Sequence, residues 1–204
     1  MAQLLPKLLP KLLPIPHRVP HPDPTQRAST PLANRAGRAL WALAYWSLVR
    51  FSPRPFHSWR ALVYRAFGSR LGPGCRVYPG ARIWAPWNLV CEDAVAIADG
   101  AVIYNAARIH LGSHVVISQE AYLCGASHDV DDPAFTWQAR PITVQAWAWI
   151  GARATVGPGV DVGEGAVLGL CSLATSPLQP WTVYGGVPAR ALRARRRDSP
   201  MPAR

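Results

Sequence analysis

The sequence lacks a long apolar run and a leader-like start. Its longest apolar stretch, Leu40 to Val49, is shorter than the roughly 20 residues that a transmembrane helix needs, so no membrane span is expected. Pro and Lys interrupt the opening MAQLLPKLLPKLLPIP every fourth residue, which excludes the continuous apolar segment of a signal peptide. We therefore predict a cytoplasmic protein.

Cysteine is scarce, and no two cysteines form a C-x-x-C pair. The sequence contains Cys75, Cys91, Cys124 and Cys171, each within an apolar repeat, where a small buried residue is typical. This pattern favours free thiols in a reducing compartment.

Acids are half as frequent as bases, and the charge is uneven. The net charge is +11, with +10 in residues 1–70, −4 in residues 71–184 and +5 in residues 185–204. The mildly acidic centre makes a nucleic-acid partner unexpected. Basic ends suit phosphates or an anionic membrane, so we expect peripheral contact with the inner membrane face.

The composition divides the chain into four segments. Residues 1–34 are rich in Pro and predict a disordered extension. Residues 35–70 predict a helical cap of two helices, the first ended by Ser52-Pro53 and the second covering His57 to Phe67 before Gly68. Two interpretations of this aromatic, basic cap stay open: it packs on the main body, or it rests on a membrane interface or a lipid-linked substrate.

Residues 71–184 repeat an aliphatic residue every six positions, which is neither the period of a helix nor that of a hairpin. Such a rhythm indicates a solenoid of short strands with three corners per coil, in which each aliphatic side chain stacks on its equivalent one coil away. The repeat residues are Ile83, Leu89, Val95, Ile97, Ile103, Ile109, Val115, Ala121, Val144, Ile150, Val156, Val162 and Leu168.

The repeat breaks once, at a loop over residues 125–142 that contains Ser127-His128-Asp129. A solenoid tolerates an insertion where the extra chain can leave the core, and such loops often carry function. The imidazole of His128 can take a proton from a hydroxyl group that attacks a thioester, a role that suits histidine among the side chains. A solvated loop histidine is the alternative.

The segments IGARATVGPGVDVGEGAVLG and IYNAARIHLGSHVVISQEAYLCGASHD resemble the hexapeptide-repeat acyltransferases. They are most similar to the maltose and galactoside O-acetyltransferases and to the colanic-acid and exopolysaccharide acetyltransferases. The resemblance implies a mainly β fold: a left-handed parallel β-helix with an N-terminal helical cap and a short C-terminal helix. It also implies a homotrimer that transfers acetyl from acetyl-CoA to a hydroxyl of a sugar or glycan acceptor, without a metal.

The resemblance also implies residue roles. His128 takes the place of the general base, and Asn105 the place of the residue that contacts the acceptor sugar. A buried structural asparagine is the alternative for Asn105. Asp129 is our choice for the acid that orients the imidazole, among several acids nearby in the sequence.

The segment PWTVYGGVPARALRARRR begins at residue 180 and continues into the C-terminal segment and basic tail, residues 185–204. It resembles the segment that borders the pantetheine tunnel in this family. By that resemblance the pantetheine arm lies along Gly151, Ala152, Gly169 and Leu170. Arg190 would meet a phosphate of coenzyme A. Trp181 or Tyr184 would cover the adenine or belong to the core, and Arg193 to Arg197 are expected to form a solvated tail.

Two other functions remain open from the sequence. Trimeric β-helices resembling γ-class carbonic anhydrases bind zinc through three histidines, and His110, His114 and His128 are the candidates here. The second alternative is a non-catalytic β-helix scaffold that only binds partners.

Overall fold

The computed structural model describes residues 32–196. The predicted Pro-rich extension lies outside the described residues except for residues 32–34, which already belong to the first helix. The last part of the basic tail, from residue 197 onward, also lies outside them.

The cap contains two α-helices joined through a π-helical segment and a turn. Helix α1 spans Leu32–Ala44, the π-helical segment Tyr45–Val49, and helix α2 His57–Ala66. Gly68 follows α2 with a φ of +90°, a conformation that a glycine adopts without strain. Within the described part of the chain no helix is both long and apolar enough to cross a bilayer.

The cap packs on the first coil of the solenoid, as one of the two sequence interpretations proposed. Trp41 is 4% exposed, donates from Nε1 to the carbonyl of Ile83 at 2.8 Å, and lies 5.1 Å from the rings of both Tyr64 and Phe67. The guanidinium of Arg60 is fully buried and is held by oxygens of the turn between the helices and by the carbonyl of Val77. The cap therefore closes the end of the solenoid.

The main body is a three-sided parallel solenoid. Sheet A contains β1 (Arg70–Leu71), β4 (Leu89–Cys91), β7 (Ile109–Leu111), β12 (Ile142–Val144) and β15 (Asp161–Val162). Sheet B contains β2 (Arg76–Val77), β5 (Ala96–Ile97), β8 (Val116–Ile117), β13 (Trp149–Ile150), β16 (Val167–Leu168), β18 (Thr182–Gly185) and β19 (Arg190–Ala194). Sheet C contains β3 (Arg82–Ile83), β6 (Val102–Tyr104), β9 (Tyr122–Cys124), β14 (Thr155–Val156) and β17 (Leu173–Ala174).

The core is the column of aliphatic side chains that the six-residue rhythm predicts. Every aliphatic repeat residue named above is buried. Parallel neighbours stack one coil apart, as Ile83 does on Ile103 and Ile150 on Leu168. Because each coil buries its aliphatic residues only against neighbouring coils, stability spreads along the stack.

The C-terminal segment differs from the expectation of a short helix. In the described residues the chain turns through Gly186, which has a φ of +98°, and returns as β19 antiparallel to β18. The edge of sheet B offers unpaired backbone groups at this point, and β19 satisfies them. The predicted helix is therefore wrong for residues 185–196.

Candidate active site

The inserted loop is a β-hairpin that leaves the solenoid at the end of sheet C. Its strands are β10 (Ala126–His128) and β11 (Trp137–Ala139), with His128 opposite Trp137. Gly125 donates to the carbonyl of Tyr104 at 2.9 Å, and Arg140 donates to the carbonyl of Gly125 at the same distance. These two bonds fix the base of the hairpin to the coil below it.

His128 is exposed and held in one orientation by Phe135. Its Nδ1 lies 2.8 Å from the carbonyl oxygen of Phe135, and the two rings stack with centroids 4.4 Å apart. A carbonyl only accepts, so Nδ1 carries the proton and Nε2 keeps its lone pair. The left-handed backbone of Phe135, with a φ of +47°, belongs to the turn that presents this carbonyl. A neutral imidazole of this tautomer can act as a general base through Nε2.

Asp129 does not orient the imidazole, contrary to the sequence prediction. Its Oδ2 accepts from Nε2 of Gln138 at 3.0 Å, and its Oδ1 accepts from the backbone of Asp131 at 3.1 Å. Both carboxylate oxygens of Asp129 are therefore bonded within the hairpin, and the Nδ1 of His128 is bonded to Phe135. The carboxylate of Asp129 stabilises the hairpin.

The polar side of the hairpin borders an open groove of about 280 Å³. Its lining residues are Ser127, His128, Asp129, Val130, Gln138, Arg140 and Pro158. Nη2 of Arg140 donates to Oε1 of Gln138 at 2.8 Å. The groove thus brings hydroxyl, amide and guanidinium groups close to the imidazole, a combination suited to a polar substrate.

Asn105 lies in the interior of a corner. It is 0% exposed, its Oδ1 accepts from the backbone of Ala85 at 2.9 Å, and its Nδ2 donates to the carbonyl of Ala85 at 2.6 Å. This environment corresponds to the structural alternative that the sequence left open. In this geometry Asn105 joins two coils and does not reach the groove of His128.

The predicted pantetheine residues form a strip along neighbouring coils. The pairing of β13 with β16 places Gly151 beside Gly169 and Ala152 beside Leu170. Gly151 has no room for a side chain, because a Cβ would lie 2.8 Å from the carbonyl oxygen of Leu168. Leu170 is 73% exposed. The strip is therefore a close-packed backbone edge with one apolar side chain standing out of it.

The segment after β18 contains the remaining predicted residues. Arg190 is exposed at the start of β19. Tyr184 is buried, and its hydroxyl accepts from the backbone of Gln179 at 2.9 Å, so it belongs to the core. Trp181 is half-buried, with Cζ of Arg195 5.8 Å from its ring.

Arg195 corrects the expectation of a solvated tail. Its Nη1 donates to the carbonyls of Trp147 at 2.8 Å and Gly165 at 3.0 Å, because β19 brings it back over the coils. Together with Arg193 and Arg196 it borders a groove of about 470 Å³.

Known proteins share this architecture and sequence. The crystal structure of the hexapeptide-repeat acetyltransferase VCA0836 from Vibrio cholerae superposes with a TM-score of 0.74 at 25% identity, covering 82% of this chain and 94% of that one. WcaF of Escherichia coli (strain K12), named as a colanic acid biosynthesis acetyltransferase, is 34% identical over 171 residues, which are 82% of this chain and 94% of the relative. The chain belongs to the hexapeptide-repeat acetyltransferase family.

Two solved structures of this fold contain the thioester substrate or its product. VCA0836 in complex with acetyl-coenzyme A has a TM-score of 0.74 at 24% identity, covering 83% of this chain and 91% of that one. Galactoside acetyltransferase in complex with coenzyme A also has a TM-score of 0.74, at 21% identity, covering 81% and 84%. No family model matches the sequence. The predicted solenoid fold and the family assignment are confirmed.

The three histidines of the zinc hypothesis have different partners in this acetyltransferase. Nε2 of His110 lies 3.2 Å from Oε1 of Glu92, His114 stacks on Trp147 at 3.8 Å, and His128 stacks on Phe135. Over residues 32–196 no group of three or more potential ligands converges on one point.

Sequence reasoning missed the group that orients the imidazole of His128. In this acetyltransferase that group is a backbone carbonyl, and every residue has one, so no residue type marks it in the sequence. Gln138 and Arg140 were missed as well. Both residues are ten or more positions from His128 in the sequence, and only the register of the hairpin shows that they lie near it.

Proposed function

We propose that this acetyltransferase moves an acetyl group from acetyl-CoA to a hydroxyl of a sugar or exopolysaccharide precursor, with His128 as general base. The observation that carries the proposal is the bond between Nδ1 of His128 and the carbonyl of Phe135, which leaves Nε2 free at the edge of a polar groove. The name of WcaF, a colanic acid biosynthesis acetyltransferase, supports an exopolysaccharide precursor as the acceptor.

The reaction proceeds by direct attack. Nε2 of His128 takes the proton of the acceptor hydroxyl while its oxygen attacks the carbonyl carbon of the thioester. The new C–O bond forms, the C–S bond breaks, and the imidazolium returns the proton to the leaving thiolate. The carbonyl of Phe135 stabilises the imidazolium, because its bond to Nδ1–H strengthens when the ring is charged.

The strip of Gly151, Ala152, Gly169 and Leu170 is our proposed seat for the pantetheine arm, and Arg190 for a phosphate of coenzyme A. An extended chain along this edge would contact the exposed apolar side chain of Leu170. The acetyl-CoA and CoA complexes of two structural relatives support acetyl-CoA as the co-substrate.

A homotrimer is part of the proposal. Sheet B presents an apolar outer face in which Ala96, Val116 and Trp149 are register neighbours, and the last two are 40% and 48% exposed. Burying such a face against a second copy is favourable. Light scattering on the purified chain should give three times the mass of one chain, and Val116→Glu should lower it.

Peripheral membrane contact is proposed for the outer face of the cap, here called the cap patch. Residues 32–70 contain seven arginines and no acid, which suits an anionic lipid surface. The cap patch consists of Leu40, Leu43, Trp46, Leu48, Phe51, Phe56, Trp59 and Leu62, all more than 40% exposed.

Vesicle sedimentation tests this contact. The chain should bind vesicles that contain phosphatidylglycerol and not vesicles of phosphatidylcholine, and Leu43→Ser with Trp46→Ser should weaken that binding. The matched control is Leu192→Ser, an exposed leucine on β19. Loss of binding in the control as well would contradict a role for the cap.

The proposed activity is tested by release of free CoA thiol. Acetyl-CoA is supplied with a panel of glycans from the cell envelope, and the wild-type chain is compared with His128→Ala and His110→Ala. We expect turnover to fall by about a thousandfold or more in His128→Ala, while acetyl-CoA binding by calorimetry is kept. His110, paired with Glu92 on sheet A, should tolerate the change. A His128→Ala chain with near-wild-type turnover would refute the general base.

A further inference from the structure

A second groove lies between the cap and the outer face of sheet C, and the chemistry above does not use it. This cap groove has a volume of about 480 Å³, within the range of pockets for small molecules. Helix α1 and the π-helical segment form one wall, and the strands β3 and β6 form the other. Five aromatic residues and two arginines line it, and no acid does.

Arg38 has a donor in the cap groove that nothing in the described chain satisfies. Its Cζ lies 4.6 Å from the centre of the Trp84 ring, so the guanidinium is held against that ring. Its Nε is buried and has no hydrogen-bond partner within residues 32–196. The guanidinium of Arg38 therefore lines the cap groove with no protein acceptor at its Nε, although buried donors are normally paired.

Arg82 supplies a second positive charge from the opposite wall. It is the outward-facing first residue of β3 and is exposed. The arginine–carboxylate pairs among the described residues are Arg54 with Asp99 and Arg153 with Glu120, so neither Arg38 nor Arg82 is neutralised by a carboxylate there. Two unneutralised guanidinium groups facing one groove favour an anion with several oxygens.

The aromatic rings indicate that the ligand is more than an inorganic anion. Trp84 packs edge-on against Tyr104 with centroids 5.3 Å apart, which makes a continuous wall on sheet C. Trp46 lines the same groove and is 52% exposed as part of the cap patch. An apolar or planar group next to the anion would be buried against these rings.

The cap groove ends near the catalytic hairpin. Tyr104 is the register partner of Cys124, and its carbonyl accepts from Gly125, where the hairpin of His128 leaves the solenoid. A ligand whose anionic part lies between the arginines therefore extends past Tyr104 toward the base of that hairpin.

We propose that the cap groove binds the diphosphate of a diphosphate-linked sugar and that this molecule is the acetyl acceptor. The inference rests on the proposed function for the identity of the reaction, and it adds the anchor that recognises the acceptor. A polyprenyl diphosphate and a nucleoside diphosphate present the same anion. Trp46 belongs to both the cap groove and the cap patch, and this favours the polyprenyl diphosphate.

Calorimetry on the purified full chain tests the site without any turnover. The probes are farnesyl diphosphate, uridine diphosphate and inorganic phosphate, titrated into wild type, Arg38→Gln, Arg82→Gln and Arg76→Gln. Arg76 is the matched control, because it opens β2 on sheet B as Arg82 opens β3 on sheet C and is equally exposed. Arg82→Gln changes an exposed residue, so its folding is secure even if Arg38→Gln lowers stability.

We expect a diphosphate probe to bind with a Kd that rises at least about tenfold in Arg38→Gln and Arg82→Gln and is unchanged in Arg76→Gln. Binding of farnesyl diphosphate over uridine diphosphate identifies a lipid-linked acceptor, and the reverse order identifies a nucleotide sugar. Absence of binding by both diphosphates, binding equal to that of inorganic phosphate, or binding indifferent to both arginines overturns the proposal.

The two proposals fail in different ways. If the chain binds diphosphates through the two arginines but acetylates no acceptor, the proposed activity is refuted and the binding site in the cap groove is supported. The opposite result would be a chain that binds no diphosphate but acetylates free glycosides with a KM that Arg82→Gln does not change. That result would refute the role of the cap groove and support the proposed activity.

Discussion

Asn105 and Ala85 join two successive coils through a pair of hydrogen bonds between one buried side-chain amide and one backbone. The Nδ2–O distance is 2.6 Å and the N–Oδ1 distance 2.9 Å. Ala85 precedes the short 3₁₀ turn Pro86–Asn88, where the chain cannot continue the regular ladder. The side chain of Asn105 thus takes the place of a backbone neighbour at an irregular corner.

Asn105→Ala should therefore destabilise the protein. The change leaves the N–H of Ala85 buried without a partner, whereas its carbonyl keeps the bond from the backbone N–H of Asn88 at 2.9 Å. We expect the free energy of unfolding to fall by about 1–3 kcal/mol. Chemical denaturation measures this loss. The KM for the acceptor at a temperature where the variant is folded should stay near the wild-type value; a raised KM without loss of stability would instead indicate direct contact with the acceptor.

A second prediction separates Asp129 from Phe135. Asp129 contacts Gln138 and the backbone of Asp131, not the imidazole, so Asp129→Asn should change kcat by less than about threefold. Phe135→Ala keeps the carbonyl but removes the ring that stacks on His128, and it should lower kcat by about tenfold. Steady-state kinetics of the two variants show whether the carboxylate of Asp129 or Phe135 orients the imidazole. A larger loss of kcat in Asp129→Asn would support the sequence prediction for Asp129.

The sequence predicts the solenoid because its rhythm is repeated in almost every coil, but it does not predict every register. Successive inward residues are usually six positions apart. From Ile83 to Cys91, and again from Ile103 to Leu111, the interval is eight positions. Two corners therefore carry extra residues, including the one closed by Asn105. Past these corners the sequence series continued at Val95 and at Val115 and Ala121, which precede the inward strand residues by two positions and are also buried.

The cap shows a second limit of the sequence. The spacing of Leu40, Leu43 and Trp46 favours an apolar stripe, yet all three are exposed, whereas Trp41, Ala44 and Tyr45 are buried. Helix α1 is apolar on both sides, so periodicity alone does not tell which side is buried. The indole N–H of Trp41 decides it, because only the inward position offers the carbonyl of Ile83.

The site could be predicted only where a residue type is tied to its chemistry. His128 stands out because one histidine occupies the one long insertion. The unpaired Nε of Arg38 and the carbonyl of Phe135 depend on tertiary contacts that no local pattern contains.

A third prediction concerns pH and the cap. Burial lowers the pKa of His57; the carbonyl of Val77, 3.3 Å from its Nδ1, opposes this shift, and the positive charge of Arg60, whose Nη2 lies 3.0 Å from Nδ1, adds to it. Below an ordinary pKa near 6.5 the unfolded chain binds a proton that the folded ring resists. Stability should therefore fall as the pH drops from 7 into the window between the folded pKa and that ordinary value.

The measurement is urea denaturation at pH 7 and at pH 5.5, for wild type and His57→Gln. The variant cannot titrate at this position, so its stability should depend less on pH than that of wild type. Equal slopes for the two proteins would show that His57 carries no part of the effect.

A fourth prediction concerns Arg60 itself. This fully buried guanidinium donates to Ser52, Pro53, Arg54 and Val77, and Arg60→Met would remove all four of these contacts. We expect a loss of about 3 kcal/mol in the free energy of unfolding. Limited proteolysis should then cut first between the two cap helices, since the turn that Arg60 holds is there; unchanged cleavage would contradict this anchoring role.

The last prediction compares two glycines at equivalent repeat positions, Gly151 after β13 and Gly157 after β14. A Cβ on Gly151 would lie 2.8 Å from both the carbonyl oxygen of Leu168 and the nitrogen of Leu170, whereas on Gly157 its nearest neighbour is 3.2 Å away. Gly151→Ala must push the next coil apart and should cost about 1–3 kcal/mol, more than Gly157→Ala. Because the displaced strip is the proposed pantetheine seat, only Gly151→Ala should also raise the KM for acetyl-CoA. Equal KM values for acetyl-CoA in the two variants would show that the co-substrate does not bind along this strip.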